Sequence, residues 1–485
     1  MYRLSFAILF CFANVLASHA GNQKKNVLIF FMDDLRPELG CYGETYIQTP
    51  NIDRLAEEGV LFERAYCQQA ICGPSRISML SGKYPDRLGI QDLWTQLRKS
   101  IPDAMSLPRY FKEAGYRTLS YGKVYHHHND DQENWCELPN KPGQKYADPE
   151  VLESIRLRTA EAERLGLSVR EKFEFTAGPA TEAADVEDTV YQDGAVAEQA
   201  IDSLRRHQDK PFFMCVGFSK PHLPFAAPTQ YWDLYEREQF EVPDRRLPEG
   251  APPIAFTNWG ELRAYQGMPK DGFLSDELTR ELRHGYAASV SYADAQLGKV
   301  MAELERLGLR ENTIVVMWGD HGYKLGEHGQ WCKHTNFELD TRVPLIVSAP
   351  GLEKGKRTEA LVEIIDLFPT LVKLTGGQVP EVLDGKSLEP VLADPSLDFR
   401  PYAVSEYRRG KVVGYTLRDA RWRFTEWINV ESKEIVATEL YDHSETQLSV
   451  ENLAGREEYS DLVENLSKQL DSRGRLAVEP LRKSE

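Results

Sequence analysis

Three long apolar runs stand out along this chain, and each ends in residues able to do chemistry. Asn26 to Met32 (NVLIFFM), Pro211 to Phe218 (PFFMCVGF) and Thr313 to Trp318 (TIVVMW) are continuous, not alternating, and rich in branched and aromatic side chains. That pattern predicts strands buried on both faces, as in a parallel sheet covered by helices on each side. The runs give way to Asp33-Asp34, to Ser219-Lys220-Pro221-His222-Leu223-Pro224-Phe225 and to Gly319-Asp320-His321-Gly322. Ligands of open α/β sheets bind beyond the carboxyl ends of strands, where these carboxylates and imidazoles fall. Two adjacent carboxylates repel each other unless a cation lies near.

Ser106 to Gly115 has amphipathic helical spacing and leads through a short strand, Tyr116 to Tyr121, into Gly122-Lys123-Val124-Tyr125-His126. Helical spacing returns in Thr189 to His207 and in Tyr286 to Leu304, where Val290, Ala293, Leu297, Val300, Met301 and Leu304 form a core stripe. Segment 129 to 187, with one helix near Pro149 to Leu165, and segment 226 to 280, rich in proline and aromatics, are expected to wall a pocket. After Gly376 the pattern changes: Val412 to Trp427 and Val436 to Tyr441 alternate as antiparallel strands do, and Tyr459 to Gly474 has helical spacing. The expected organisation is an α/β domain over 24–395 and a smaller C-terminal subdomain, antiparallel sheet plus helix, over 396–485.

The amino terminus stands outside this scheme. Arg3, the apolar run Leu4 to Leu16 and small residues ending at Ala17 or Ala20 read as a signal peptide over 1–20, hence export to the periplasm, the cell exterior or a lysosome. The run is too short to cross a bilayer, and no later segment is long enough. A net charge of −17 excludes a protein that coats nucleic acid or anionic membrane. An anionic substrate therefore needs a local basic pocket. The cysteines, Cys11, Cys41, Cys67, Cys72, Cys136, Cys215 and Cys332, show no zinc-type pair, and few or no disulfides are expected.

Cys72-Gly73-Pro74-Ser75-Arg76 combines a soft nucleophile, a helix-starting proline and a fixed cation. Ile77, Met79 and Leu80 supply apolar contacts for a helix, with Gly82 as its C-cap. Cys72 is thus predicted at or just before a helix amino terminus, where free N–H groups and the dipole favour an anion. Arg76 adds a permanent charge one turn in.

The CGPSR stretch resembles the signature of the sulfatase family, C-x-P-S-R. Further matches are DDLRPELGCYG, the G-K-x-x-H of Lys123 and His126, the K-P-H-x-P-F around His222, and the E-L-Y-D and N-L-A of Glu439-Leu440-Tyr441-Asp442 and Asn452-Leu453-Ala454. Many sulfatases have Asp-Asn where this chain has Asp320-His321. The D-H-G form, with the stretch DHGYKLGEHGQWCKHTNFELDTRVPLIVSAPG, resembles the iduronate-2-sulfatase branch. The resemblance implies an alkaline-phosphatase-like sandwich: a large, mixed, mostly parallel sheet flanked by helices.

It also implies chemistry. A formylglycine-generating enzyme would oxidise Cys72 to formylglycine, whose gem-diol attacks sulfur with Asp320 as base. Arg76, Lys123 and Lys333 would hold the sulfate, His222 would protonate the departing alcohol, and His126 would take the proton that releases sulfate. One Ca²⁺ would be held by Asp33, Asp34, Cys72, Asp320 and His321, although an imidazole ligand leaves Mg²⁺ or Mn²⁺ open. Tyr323 and Lys324, just after Asp320-His321, are placed to meet the sugar. The implied substrate is a sulfated oligosaccharide or polysaccharide, a uronate 2-O-sulfate of glycosaminoglycans or an algal polymer, attacked from a chain end. Two alternatives stay open: a phosphatase or phosphonate monoester hydrolase of the same superfamily, which Cys72 speaks against, and an inactive secreted glycan-binding protein.

Overall fold

The computed structural model describes residues 24–127, 130–138 and 142–472. The leader expected over 1–20 lies outside them.

The three apolar runs form neighbouring strands at the centre of a seven-stranded sheet. Across it the order is Lys356–Glu363, Val60–Tyr66, Arg342–Ser348, Thr313–Gly319, Asn26–Asp33, Phe212–Pro221 and Arg117–Gly122. Arg342–Ser348 runs antiparallel to both neighbours and the other pairings are parallel. The sheet is therefore mixed and mostly parallel. Pro344 stands inside that antiparallel strand although it has no N–H to give; a bulge between Val343 and Leu345 takes it out of register.

Continuity of the apolar runs follows from two cores. Leu28, Phe30 and Met32 face one of them, with Val315 and Met317 beside them. Val27, Ile29 and Phe31 face the other, beside Ile314, Val316 and Trp318. Successive side chains of a strand point to opposite faces, so a strand covered on both sides must be apolar throughout. Helices Gln192–His207 and Asp276–Arg306 close the first core. Helices Cys72–Ser81, Leu107–Glu113 and Leu367–Leu374 close the second. Each large side chain buried this way contributes about 1.5–3 kcal/mol.

The carboxyl-terminal part is a four-stranded antiparallel meander: Ala403–Arg409, Val412–Arg418, Trp422–Asn429 and Ile435–Asp442. Helix Ser460–Ser472 lays Leu466 and Leu470 against Leu417, Phe424 and Leu440. This sheet docks close to the Cys72 loop, Glu406 N donating to Gln68 O at 2.8 Å. Buried Glu338 ties it to the main body by pairing with Arg418 at 2.9 Å and Arg423 at 2.5 Å. Segment 129 to 187 contains the expected helix, Pro149–Arg164, and a second, Val169–Thr176, opened by a capping box of Ser168 and Glu171. Among the described residues the six cysteines are free, and no helix is long and apolar enough to cross a membrane.

Candidate active site

Cys72 opens a ten-residue helix that follows extended Ile71 and ends at left-handed Gly82. All ten residues are buried. The Cys72 Sγ lies 3.3 Å from His321 Nε2 and 3.8 Å from Lys123 Nζ. Burial, and then the charge of Asp33, push its thiol well above the ordinary range, so residue 72 as cysteine is a neutral thiol and not a thiolate.

Asp33 and Asp34 converge on the same place because the chain leaves its strand abruptly. On extended backbone their side chains would point to opposite faces. Asp34 instead adopts φ +64°, and donor atoms of Asp33, Asp34, Cys72 and His321 gather within 4.8 Å of one another. Asp320 arrives from the neighbouring strand and accepts from Arg76 Nε at 2.8 Å, Asp34 N at 3.1 Å and His321 N at 3.0 Å. His321 Nε2 is 3.5 Å from Asp34 and 3.7 Å from Asp320.

Three permanent cations penetrate this acidic centre. Arg76 approaches Asp33 at 3.3 Å, Lys123 pairs with Asp33, and Lys333 reaches both oxygens of Asp34 at 2.9 and 3.0 Å. Burial would raise the Asp33 pKa, yet Lys123, His222 and Arg76 together hold it well below the usual carboxylate range. Burial likewise works against the charged Lys333, and Asp34 and Glu261 outweigh it. Lys333 is presented between two non-glycine residues in the left-handed region, Cys332 (φ +66°) and His334 (φ +85°), a strained arrangement of the kind that gathers at functional sites.

His222 stands between Pro221 and Pro224, both preceded by cis peptide bonds. Its Nδ1 is 2.6 Å from Leu223 O and its Nε2 is 2.9 Å from Glu261 and 3.9 Å from Asp34. His126 is not among the gathered ligand atoms but lies near enough to feel the charges of Lys123, Asp33 and Arg76. Its ring faces His127, its Nδ1 is buried without a partner, and burial followed by Lys123 lowers its pKa to about 3.

Two expectations need correction. Lys324 does not face a ligand: its side chain is wholly buried, paired with Asp340 and 2.7 Å from Thr335 Oγ1. Tyr323 is equally buried, stacked on Tyr286 at 5.8 Å with its hydroxyl 3.4 Å from Cys332 Sγ. The two-residue strand Lys324–Leu325 folds back on Trp331–Cys332, and Lys324 and the Tyr323 just before it are covered from both sides. Conversely, Glu261 was not foreseen. It lies in the proline-rich connection, on a four-residue helix, and bridges His222 and Lys333. Only the expectation that segment 226 to 280 walls the pocket pointed in its direction.

The residues present suit a divalent cation. Asp33 Oδ1 is buried without a hydrogen-bond partner. Before any imidazole is counted, four carboxylates (Asp33, Asp34, Asp320, Glu261) face three permanent cations (Arg76, Lys123, Lys333), an excess of one negative charge that a proton on both nitrogens of His222 would cancel. In either state a divalent ion makes the site positive and gives an anionic ligand a reason to enter.

Acidic and imidazole side chains gather at the carboxyl ends of a mostly parallel sheet, around a cysteine at a helix start, on an alkaline-phosphatase-like α/β fold. The sulfatase family profile matches residues 25–377, and a profile for the carboxyl-terminal part of N-sulphoglucosamine sulphohydrolase matches residues 326–475. Iduronate 2-sulfatase of Mus musculus is 32% identical over 96% of this chain and 98% of its own. The fold resembles that of BT4656, solved in complex with its substrate D-glucosamine-2-N,6-O-disulfate: TM-score 0.74, 23% identity, 94% of this chain and 98% of that one. It also resembles a phosphonate monoester hydrolase from Silicibacter pomeroyi: TM-score 0.72, 24% identity, 95% and 100% coverage. The chain belongs to the sulfatase family and is a sulfate ester hydrolase.

Proposed function

We propose that this enzyme removes sulfate from a sulfated carbohydrate, a uronate 2-O-sulfate of glycosaminoglycans or an algal polysaccharide, acting from a chain end after export. The observation that carries the reading is Cys72 itself, buried at a helix start between Lys123 and His321 and ringed by fixed charge. As a neutral thiol it is a weak nucleophile, and conversion to formylglycine by a maturating enzyme would supply the reactive oxygen at that position. Asp33, Asp34, residue 72 and His321, with Asp320 adjoining, would hold a divalent cation, Ca²⁺ by family resemblance with Mg²⁺ or Mn²⁺ as alternatives. The ion would supply Lewis acidity toward the sulfate oxygens.

The other residues have roles that follow from their positions. Sulfate esters hydrolyse slowly because an already anionic group must be approached, so neutralising that charge is the first requirement. Arg76, Lys123 and Lys333 supply it at the fixed points just described. Asp320, its pKa raised by burial, would serve as base. His222, with a side chain 21% exposed, reaches solvent while Asp34 does not, which suits it to deliver a proton to the departing sugar oxygen. His126, neutral and with Nδ1 unpartnered, would accept the proton whose loss frees sulfate.

Sulfate release from a panel of sulfated oligosaccharides, with and without a free non-reducing-end sulfate, tests the reading. Release from internal sulfates of intact polymer at comparable rates would end the chain-end claim. Turnover of phosphonate monoesters with no turnover of any sulfate ester would end the substrate claim.

A further inference from the structure

Glu261 lies outside the group of Asp33, Asp34, Cys72 and His321; it belongs instead to a second group, with Asp34 and His222, whose ligand atoms also lie within 4.8 Å of one another. Each of its oxygens has one partner: Oε1 is 2.9 Å from His222 Nε2, and Oε2 is 2.9 Å from Lys333 Nζ. Burial would raise its pKa, but Lys333 and then His222 hold it well below the usual range, so it is ionised. A single carboxylate thus spans the residue placed to protonate the departing alcohol and a residue placed to hold sulfate. The other end of the His222 ring is fixed as well, with Nδ1 2.6 Å from Leu223 O. Two acceptors at opposite edges leave an imidazole little freedom to turn.

The chain goes to some expense to put this carboxylate there. Two residues before Glu261, at the N-cap of its helix, Trp259 has φ +40° and ψ +43°, a left-handed conformation that a bulky residue seldom adopts and that costs on the order of 1–3 kcal/mol. Its surroundings enforce it. The Arg263 guanidinium lies 3.3 Å from the Trp259 ring centroid, and the same guanidinium donates to Asn258 O at 3.1 Å, Pro269 O at 2.8 Å and Gly272 O at 2.8 Å. Leu262 is wholly buried and anchors the turn from its other side. Strain held in place by a clamp of this kind is accounted for when the residue it delivers has work to do. In this segment that residue is Glu261, and it alone makes the long 226 to 280 connection part of the site's charge balance.

We propose that Glu261 is a positioning residue for the leaving-group side of the site, holding the His222 imidazole and the Lys333 ammonium in fixed relation to one another. The inference rests on the sulfate-ester reading above. With Lys333 on the sulfate, Glu261 sets where His222 Nε2 stands relative to the bridging ester oxygen. As the S–O bond to the sugar breaks, its electron pair stays on that oxygen, which comes in beside Glu261 Oε1 and takes the Nε2 proton of a His222 protonated on both nitrogens, leaving a neutral imidazole with its Nδ1–H on Leu223 O. An alkoxide leaving group needs this proton, whereas a nitrophenolate departs without it. Glu261 would therefore matter for sugar esters and much less for activated aryl esters.

The test compares Glu261→Ala and Glu261→Gln with the parent enzyme on 4-nitrophenyl sulfate and on a 2-O-sulfated uronate disaccharide. Glu261→Ala is expected to raise the aryl-to-sugar ratio of kcat/KM at least tenfold, with the sugar loss falling on kcat more than on KM. Glu261→Gln keeps an amide oxygen for His222 and is expected to recover part of that loss. A ratio unchanged in both variants overturns the proposal. A crystal structure of Glu261→Ala gives a readout independent of turnover: His222 Nε2 or Lys333 Nζ is expected to move by more than about 1 Å, a displacement large enough to misalign a reacting pair. If both stay in place, Glu261 positions neither. If the parent enzyme hydrolyses no sulfate ester at all, the substrate reading fails while the crystal structure still decides for or against Glu261.

Discussion

Lys333 Nζ donates to both carboxylate oxygens of Asp34, at 2.9 and 3.0 Å, from a position 299 residues further along the chain. Neither partner reaches water to any extent, with side chains 2% and 0% exposed. Removing one member of such a pair leaves the other as a buried, unpaired charge, which costs about 3–5 kcal/mol. Lys333→Met should therefore lower Tm clearly, and should lower kcat/KM by about 10²-fold or more because one sulfate-facing donor is gone. Thermal unfolding and steady-state kinetics on the same preparation check both halves. Unaltered kcat/KM would remove Lys333 from the sulfate site.

Cys72→Ala is expected to behave differently. The side chain is small, and its nearest polar neighbours, His321 and Lys123, have other partners in Gly322 O and Asp33. Tm should stay close to that of the parent, while turnover of every sulfate ester falls to background. Mass spectrometry of the peptide carrying residue 72 should show formylglycine in active preparations. Activity in proportion to unmodified cysteine would refute the proposed conversion.

Much of this site could be read before the fold because its parts are local. A strand buried on both faces announces itself by an unbroken apolar run, and its carboxyl end is then a fixed place in the sheet; Asp33, His222 and Asp320 were placed that way. Arg76 followed from its spacing to Cys72 along one helix. The failures have a common cause in partners distant in sequence. Lys324 after a glycine reads as a solvated charge or a ligand contact, because nothing nearby shows that Asp340 folds over it. Glu261 is, in the sequence, one more acidic residue of the proline-rich 226 to 280 connection until His222 and Lys333, separated from it by 39 and 72 positions, close around it. Arg36 and Glu327 illustrate the opposite case. Both fall in stretches that resemble the family, yet they join those stretches structurally, Nη1 to Oε1 at 2.8 Å.

That pair gives a dependence on pH. Burial would raise the Glu327 pKa, but Arg36 and Arg283 bring it down to about 2, against an ordinary value of 4.5. A carboxyl whose folded pKa is depressed stabilises the fold above its unfolded pKa and loses that contribution as pH falls through the folded one. The contribution here is on the order of 3 kcal/mol, complete above about pH 4.5 and shrinking as pH drops toward 2. Glu327→Gln should thus be less stable at neutral pH, and its Tm should fall less steeply than the parent's between about pH 5 and 3. Parallel curves for the two proteins would show that Glu327 is not paired in solution.

Bound metal provides an independent check on the acidic cluster. Elemental analysis of the purified protein should find one divalent ion per chain by the charge balance above, and Asp33→Asn should lose ion and activity together. Its neutral amide would also leave Lys123 and Arg76 facing one another with one counter-charge fewer. Restoring activity to the stripped parent by Ca²⁺, Mg²⁺ or Mn²⁺ in turn identifies the ion it uses. Two zinc ions per chain would favour a phosphatase-type centre instead.

Lys324 offers the clearest separation of structure from recognition. Its ammonium pairs with Asp340, 16 residues on, and lies 2.7 Å from Thr335 Oγ1. Thr335 Oγ1 also bonds Asp340, which closes a buried triangle beneath the loop that carries Lys333. Burial lowers the Lys324 pKa despite Asp340, so the ion pair stands on desolvated groups, where isolating one partner is costly. Lys324→Met alone should lose about 3–5 kcal/mol of stability, whereas Lys324→Met with Asp340→Leu should regain much of it, since an apolar pair of similar volume avoids the stranded carboxylate. The ranking of substrates in the panel should be the same in both variants as in the parent, because this ammonium is wholly buried and paired with Asp340. A change in that ranking without loss of Tm would return Lys324 to the substrate site.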